Sequence, residues 1–336
     1  MSLLVLGGTA WLGREVALAA LAAGHDTTVL ARGRSGPAPD GVRVVTADRS
    51  APGAYDAVAR DWDVVVDVSR QPSHVAGAVL ALGDRSRSWV FVSSCSVYAS
   101  HDVPGADESA LLLEPHEGDD DGLETYGERK VACEQVVLRG VPDRALVVRS
   151  GLIAGPGDHT DRTGYWPLRF AHPATTDGSV LVPDSPLLTQ VVDVRDLAQW
   201  MVRAGEAGST GVVNASGTAL PLADHLATAR QVANHDGELV TVPQHWLEAH
   251  RVAPLSGERS LPMWLPLPDY AGLMARRTRA AELLGLRTRP LADTLHDTLE
   301  WELHRGPGRR RGAGLSVDDE RELVEAARRE GRTSSP

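Results

Sequence analysis

The chain has 336 residues, 42% of them hydrophobic and 24% charged, a composition that suits one large globular domain with a smaller second one. Its formal net charge of −11 argues against a nucleic-acid-binding protein, because neutralising phosphates requires a basic face. No apolar run approaches the roughly 20 residues that span a bilayer, and two cysteines, Cys95 and Cys133, are too few for a disulfide framework, which together predict a soluble, cytoplasmic protein that binds no membrane.

Short apolar runs alternate with helical patterns through the first 150 residues. The predicted strands are Leu3–Leu6, Thr27–Ala31, Arg43–Thr46, Val64–Val68, Trp89–Ser93 and Ala145–Arg149. The predicted helices between them are Trp11–Ala23, Ala54–Arg60, Ser73–Leu82 and Glu124–Arg139. Because the strands are apolar on both faces, helices are expected on each side of a parallel sheet. The pattern predicts an α/β fold with a doubly wound parallel sheet, the Rossmann architecture.

After Gly151 prolines and glycines cluster, which predicts a smaller, loop-rich C-terminal substrate domain. Elements resume in 190–204, 211–215, 222–234, 270–284 and 291–304. The predicted division is a dinucleotide-binding domain over 1–150, to which parts of 190–215 return, and a substrate-binding region over 151–304. Residues 305–336 are predicted to form an arginine-rich linker and a last helix, capped by Ser316 and ending near Arg329. Asp119–Asp121 is interpreted as a solvated acidic loop.

A glycine turn joins the first strand directly to the first helix. This strand–turn–helix context is the one that a dinucleotide-binding fingerprint needs, because glycines let the backbone approach a pyrophosphate at the helix N-terminus. Ala10 occupies the place of the usual second glycine. The candidate cofactor-binding residues of this turn are Gly7, Thr9, Ala10, Trp11, Leu12 and Gly13.

The end of the second strand indicates which dinucleotide is bound. An NAD site places an acid there to bind ribose hydroxyls, whereas this chain has Ala31 followed by Arg32 and Arg34. Two guanidiniums suit a 2′-phosphate, so NADP(H) is expected in preference to NAD(H), with a pair of solvated loop arginines as the alternative interpretation. Further cofactor candidates at strand ends are Asp48, as an acceptor for the adenine amino group, its neighbour Arg49, and Val68 and Ser69.

The catalytic candidates follow the fifth strand and begin the fourth predicted helix. Ser93, Ser94 and Ser96 stand at the strand end, and Tyr126 precedes Lys130 by four residues, so that both project from one helical face. Lys130 is the only lysine among 34 basic residues, at a place where a compact ammonium can do what a bulky guanidinium cannot. An ammonium stabilises a phenolate, which would let Tyr126 exchange a proton with a substrate.

In this order, the glycine turn, the serine run ending in Val97-Tyr98, Tyr-x-x-x-Lys and Arg149–Pro156 resemble the extended short-chain dehydrogenase/reductases, which include the NAD-dependent epimerase/dehydratase enzymes. The resemblance covers roughly residues 1–200. It implies that Tyr126 is the general acid/base, Lys130 its partner, and Ser94 the substrate-orienting hydroxyl, with Ser93 or Ser96 as alternatives. It also implies cofactor contacts at Ser93, Tyr126, Lys130, Ser150 and Ile153, and a homodimer formed through 73–82 and 124–139.

Two departures from the family pattern bear on the reaction. Nucleotide-sugar members carry an asparagine where this chain has Leu152 and a tyrosine where it has Ala154, and leucine cannot donate to a diphosphate. The expected function is therefore an NADP(H)-dependent reductase or dehydrogenase acting on a carbonyl or secondary alcohol of a small polar metabolite. A sugar-nucleotide epimerase or dehydratase that recycles bound cofactor is the alternative, and a non-catalytic NADP(H) sensor is a third interpretation.

Five further residues are predicted to contact a substrate, namely Ser96, Leu152, His159, Arg162 and Trp166. For the last three, a purely structural loop is the alternative interpretation. The twelve histidines show no metal-ligand spacing, so no metal is expected.

Overall fold

The structure, a computed structural model, describes residues 1–118, 122 and 124–333, and the predicted acidic loop Asp119–Asp121 lies outside these. The chain divides into two compact units. Unit 1 consists of Met1–Ile153, Val192–Gly217 and Arg276–Thr288, and unit 2 consists of Ala154–Val191, Thr218–Ala275 and the chain from Arg289 onward.

The regular elements of the described residues are as follows. The strands are β1 (Ser2–Leu6), β2 (Asp26–Ala31), β3 (Arg43–Thr46), β4 (Trp62–Asp67), β5 (Ser86–Ser94), β6 (Ala145–Ser150), β7 (Leu152–Ala154), β8 (Val180–Asp184), β9 (Leu188–Thr189), β10 (Val191–Asp193), β11 (Gly211–Ala215), β12 (Leu220–Pro221), β13 (Leu239–Pro243), β14 (Ala253–Pro254), β15 (Gly257–Glu258), β16 (Ser260–Leu261) and β17 (Ala313–Gly314). The α-helices are α1 (Trp11–Ala22), α2 (Pro72–Leu82), α3 (Tyr126–Gly140), α4 (Tyr165–Ala171), α5 (Val194–Glu206), α6 (Leu222–Val232), α7 (Gln244–Ala249), α8 (Arg279–Leu283), α9 (Leu291–Arg305) and α10 (Val317–Thr333).

Unit 1 is built on a seven-stranded parallel sheet in the order β11-β6-β5-β4-β1-β2-β3. Side chains of β1 alternate between its faces: Leu3 and Val5 pack with residues of α1 and α5, whereas Leu4 and Leu6 pack with residues of α2 and α3. The predicted doubly wound Rossmann sheet is therefore confirmed.

Unit 2 is helical and loop-rich, with short two-stranded pairings such as β8 with β13. Its core includes Trp166, which is completely buried and donates its indole N–H to the Pro262 carbonyl at 2.6 Å. Trp166 also contacts the rings of Tyr165 and Phe170. The prediction that Trp166 contacts a substrate is wrong, because its ring and its only polar atom are both occupied by the core.

Two predicted helices are shorter than expected. The helix predicted over 54–60 is a single 3-10 turn at Asp56–Val58, because Gly53 precedes it with a φ of 71° and no side chain caps it. The helix predicted over 270–284 is reduced to α8, preceded by turns around Gly272, a residue that disfavours helix. Among the described residues, no helix is long and apolar enough to cross a membrane.

The arginine-rich segment Arg305–Arg311 is a packed part of unit 2. Arg309 and Arg311 both pair with Glu302, whose side chain is completely buried, and Arg309 also pairs with Asp161. The backbone N–H of Gly312 donates to Asp161 at 2.8 Å. A linker would leave these charges in water, so the expectation of a free linker is corrected: buried carboxylates of the same unit fix this segment.

A buried histidine should make the protein sensitive to mild acid. His225 of α6 is fully buried, and burial lowers its pKa from 6.5 to about 4. Below pH 6.5, His225 therefore binds a proton in the unfolded chain. In the folded chain it binds this proton only below about pH 4. The free energy of unfolding should fall across this window, by at most about 1.4 kcal/mol per pH unit from this side chain.

His225→Gln should flatten that part of the stability–pH profile, measured by urea unfolding between pH 7 and pH 4. His245→Gln, which changes an exposed histidine of the same unit, is the matched control and should leave the slope unchanged. A parent-like slope in His225→Gln would show that other groups cause the acid sensitivity.

Candidate active site

A cleft of about 510 Å³ lies in unit 1, at the carboxyl ends of β1 to β4. Ligands of doubly wound folds bind at this edge of the sheet, because loops after the strands meet there. Its walls come from the glycine turn, from the residues that follow β2 and β3, and from the start of α2. The lining residues are Leu6, Gly7, Thr9, Ala10, Leu30, Ala31, Arg32, Arg34, Ser35, Ala47, Arg49, Ser50, Val68, Ser69, Arg70, Gln71, Ser73 and His74.

The glycine turn at the cleft needs its glycines. Gly7 has a φ of 102°, which side chains rarely adopt, and its N–H donates to the Leu30 carbonyl. A Cβ on Gly13 would lie 2.3 Å from the Gly7 carbonyl oxygen, so α1 approaches the turn as closely as a backbone can. No side chain caps the start of α1, where Ala10 is the N-cap. The first N–H groups of this helix, together with its dipole, suit a phosphate.

The cleft is lined by arginines, and none of the described residues in its walls is an aspartate or glutamate. Arg32, Arg34 and Arg70 are exposed at this cleft. Asp48 is not one of the residues that line the cleft. A hydrogen bond from the Ser50 backbone N–H lowers the pKa of the Asp48 carboxyl, and the charge of Arg32 adds to this effect. The donor set therefore fits the phosphates of a dinucleotide, which are anionic at neutral pH.

Arg49 forms part of the cleft wall, but its guanidinium binds other side chains. It donates to both carboxylate oxygens of Asp67 at 2.8 Å, to the Tyr55 hydroxyl at 2.9 Å and to the His74 carbonyl at 2.8 Å. Asp67 is completely buried. These bonds tie the ends of β3, β4 and α2 together, and the cofactor contact of Arg49 stays a prediction.

Lys130 lies at the same edge of the sheet, buried within unit 1. Its ammonium donates to the Ser69 carbonyl at 2.7 Å and to the Val92 carbonyl at 2.6 Å. Ser69 lines the cleft, and Val92 belongs to the strand that carries the candidate serines. Because an ammonium has three donors, two carbonyl bonds leave one for another group. A guanidinium is larger than an ammonium and planar, so arginine would not be an equivalent replacement at this position.

Tyr126 begins α3 and is half-buried. The next residue, Gly127, packs against the 3-10 turn Cys95–Val97, and a Cβ there would lie 2.3 Å from the Ser96 carbonyl oxygen. This approach brings the start of α3 to the serine turn. Ser94 caps that turn: its hydroxyl accepts the Ser96 N–H at 3.1 Å and donates to the Ser96 hydroxyl at 3.0 Å. Both hydroxyls belong to half-buried residues at the turn.

The sequence comparison decides the family. The profile of the NAD-dependent epimerase/dehydratase family matches residues 3–216, a range that contains the glycine turn, the serine turn, Tyr126 and Lys130. The chain belongs to this family. No protein with a curated function matches the sequence significantly. The resemblance read from the motifs is thereby confirmed, and the epimerase/dehydratase family is one of NAD-dependent enzymes.

Solved structures share the fold of this family member. A Burkholderia cenocepacia J2315 protein assigned as an epimerase is 20% identical, with a TM-score of 0.68 over 89% of this chain and 97% of that one. Thermotoga maritima UDP-glucose 4-epimerase, solved with UDP-glucose, is 15% identical, with a TM-score of 0.66 over 91% and 99%. MoeE5 in complex with UDP-glucose and NAD is 18% identical, with a TM-score of 0.63 over 91% and 99%. At these identities the likeness shows the fold alone.

Several predicted site residues of this family member are not placed at the cleft. Ser93 is buried and its hydroxyl donates to Glu134 at 2.5 Å, and its contacts with cofactor or substrate stay predictions. Ser150 is buried and donates to the Gly151 carbonyl. Four further candidates are half-buried and do not line the cleft, and their roles stay predictions: Trp11, Leu12, Leu152 and Ile153. His159 and Arg162 belong to unit 2, and their contact with a substrate also stays a prediction.

Some residues of this region were not predicted from the sequence. Ser50 and His74 line the cleft and hydrogen-bond to each other at 2.9 Å. The rule that sites form at the carboxyl ends of parallel strands could have indicated them. Glu134 had a clearer signal, since it is a carboxylate among the buried positions of α3. Cys95 is buried, and this burial raises the pKa of its thiol to about 12, which disfavours the reactive thiolate at neutral pH.

Gly13→Ala should separate α1 from the turn, because the new methyl group would have to displace the Gly7 carbonyl. We expect the reduced nicotinamide cofactor, NADH or NADPH, to bind at least roughly tenfold more weakly, about 1.4 kcal/mol, in a fluorescence titration. The free energy of unfolding should fall by about 1–3 kcal/mol.

Gly331→Ala is the control, because this exposed glycine of α10 has open space around it and alanine favours a helix. It should keep parent affinity and stability. Parent-like affinity for the cofactor in Gly13→Ala would contradict the role given to the close approach of turn and helix.

Proposed function

We propose that this protein is an NADP(H)-dependent reductase or dehydrogenase that acts on a carbonyl or secondary alcohol of a small polar metabolite. The observation that carries the proposal is the position of the Lys130 ammonium, held between the Ser69 carbonyl at the cleft and the Val92 carbonyl of the serine-bearing strand. That position joins a cofactor cleft to a helix that begins with Tyr126.

The residues of unit 1 divide the work in a simple way. The cofactor, when bound, supplies or accepts the hydride. The uncapped start of α1 would bind the pyrophosphate, and Arg32 and Arg34 the 2′-phosphate. Lys130 would use its remaining N–H on the nicotinamide ribose. Tyr126 would give a proton to the substrate oxygen during reduction and take it back during oxidation, with the substrate oriented by Ser94 or by Ser96.

The preference for NADP(H) over NAD(H) rests on the charge of the cleft. NAD recognition uses a carboxylate after β2 to bind ribose hydroxyls, and no carboxylate lines this cleft among the described residues. Three exposed arginines lie there instead. An added phosphate would be attracted by these arginines and would meet no carboxylate in the cleft wall, which favours the phosphorylated cofactor.

A sugar-nucleotide epimerase or dehydratase is the second candidate. It is favoured by the fold neighbours, which include UDP-glucose 4-epimerase from Thermotoga maritima. Leu152 argues against it, since leucine offers no hydrogen bond to a diphosphate. The two functions differ in stoichiometry: a reductase consumes one NADPH for each substrate, whereas an epimerase returns the hydride and consumes none.

A homodimer through α2 and α3 is a further inference of ours from the family. These two helices pack against each other on one face of the unit 1 sheet. Leu80 of α2 is 90% exposed, an apolar side chain that a partner could cover. Sedimentation of the parent chain and of Leu80→Glu would test this pairing.

A library of small aldehydes and ketones, screened for NADPH oxidation, tests the proposed reaction. With the carbonyl found, Tyr126→Phe should lower turnover by roughly 10²–10⁴-fold and keep NADPH affinity, because it removes only the transferable proton. Lys130→Arg should lower turnover and also weaken NADPH binding, because it keeps the charge and loses the compact shape.

Arg139→Lys, the reverse exchange at an exposed position of α3, is the control and should behave as the parent. Turnover without net NADPH oxidation would favour the epimerase. Full activity in Tyr126→Phe would remove this residue from the mechanism.

Arg32→Ala combined with Arg34→Ala should weaken NADPH binding and spare NADH binding. Hydrogen bonds to a charged group contribute about 1.5–3 kcal/mol, so we expect roughly a 10- to 100-fold loss for NADPH. Isothermal titration with both cofactors measures the ratio of affinities.

Arg85→Ala, an exposed arginine that is not part of the cleft, is the matched control and should change neither affinity. Equal losses for NADPH and NADH would mean that the two arginines act on a part that both cofactors share. Tighter NADH than NADPH binding by the parent would overturn the NADP(H) assignment.

A further inference from the structure

A buried polar network joins α3 to three strands of unit 1. Glu134 and Arg149 are 2% and 4% exposed, and they form a two-point ion pair, with Nε to Oε1 at 3.0 Å and Nη2 to Oε2 at 2.8 Å. Ser93 donates its hydroxyl to the same carboxylate at 2.5 Å. One carboxylate of α3 therefore binds a residue of β5 and a residue of β6.

The network continues beyond the ion pair. Arg149 also donates to the Tyr98 hydroxyl at 3.2 Å and to the Glu108 carbonyl at 3.1 Å. The Tyr98 hydroxyl donates to the Asn214 side chain of β11 at 2.6 Å, and the Asn214 N–H donates to the Glu108 carboxylate at 2.7 Å. The described partners of Glu134 and Arg149 are thus oriented in turn, which leaves the pair little freedom.

The place of Glu134 on the helix gives this network a consequence for the active site. Glu134 follows Lys130 by four residues and lies on the same face of α3, one turn further from Tyr126. Its partners Ser93 and Arg149 directly precede Ser94 and Ser150. A slide of the helix by one residue, about 1.5 Å, would break both points of the ion pair.

We propose that Glu134 and Arg149 are positioning residues, which hold α3 in register with β5 and β6 so that the Lys130 ammonium stays between its two carbonyls. Apolar contacts of α3, such as those of Val137, are non-directional and would tolerate a small slide or rotation. A two-point ion pair tolerates neither. Since a misplacement of 1 Å can lower a rate about a hundredfold, register matters more here than in a purely structural helix.

The single lysine allows a direct test that needs no substrate. Protein grown with lysine labelled at Nζ with ¹⁵N gives one side-chain ammonium signal, and proton exchange of that signal reports the bonds to the Ser69 and Val92 carbonyls. The key variant is Glu134→Leu with Arg149→Met, which removes both charges and fills the space, an exchange that buried ion pairs often tolerate in stability. We expect thermal unfolding close to that of the parent and ammonium exchange at least about tenfold faster.

Val137→Ala is the matched control for a merely structural effect. It shortens a fully buried apolar side chain of the same helix, lowers stability and leaves the polar network intact. We expect its ammonium exchange to remain within about twofold of the parent. Parent-like exchange in the folded double variant, or equal acceleration in Val137→Ala, overturns the proposal.

Ser93→Ala keeps the test informative if the double variant does not fold. It removes the bond between β5 and Glu134 and keeps the ion pair, so exchange should accelerate less, by about threefold. Unchanged exchange in Ser93→Ala would then count against the positioning role.

The inference rests on the proposed function in placing Lys130 in the active site. Because the ammonium signal requires no turnover, a failed carbonyl screen and a failed positioning test are separate results.

Discussion

The Lys130 ammonium joins the parts of unit 1 that form the candidate active site. Two backbone carbonyls, one after β4 and one in β5, accept hydrogen bonds from the same nitrogen, which belongs to a side chain of α3. Cleft, serine turn and helix therefore meet around one buried cation. Backbone carbonyls are neutral partners, so they solvate the charge without cancelling it.

The charges of unit 1 follow two different arrangements. In the interior, two buried arginines pair with carboxylates with good geometry, Arg49 with Asp67 and Arg149 with Glu134. At the cleft the arginines are exposed and no described wall residue is acidic. Pairing stabilises the ends of the strands, whereas the unmatched positive charge leaves a place for an anionic ligand. Arginines thus stabilise the interior of unit 1 and also line its exposed cleft.

Most of the sheet and the cleft could be predicted from sequence, because both depend on local patterns. Continuous apolar runs indicated the strands, and the glycine turn between β1 and α1 indicated one wall of the cleft. Partners distant in sequence could not be predicted. Asp67 follows Arg49 by 18 residues, and Arg149 follows Glu134 by 15, so nothing local indicated that these charges pair. Trp166 was misassigned for the same reason, since its partner, the Pro262 carbonyl, is 96 residues away.

The pairing of Glu302 with Arg309 and Arg311 bears on where unit 2 can be cut. Glu302 and Asp161 are 0% and 5% exposed, and both pair with Arg309 from the segment after α9. Glu302 also pairs with Arg311, whereas Asp161 also pairs with Arg305 at the end of α9. A chain shortened to the end of α9 would keep every strand of unit 1. It would leave two carboxylates in the interior of unit 2, each without at least one of its counter-ions. Breaking a buried pair in this way costs about 3–5 kcal/mol, a large part of the stability of an ordinary domain. The residues beyond Arg305 are therefore needed to pair fully the buried carboxylates of unit 2.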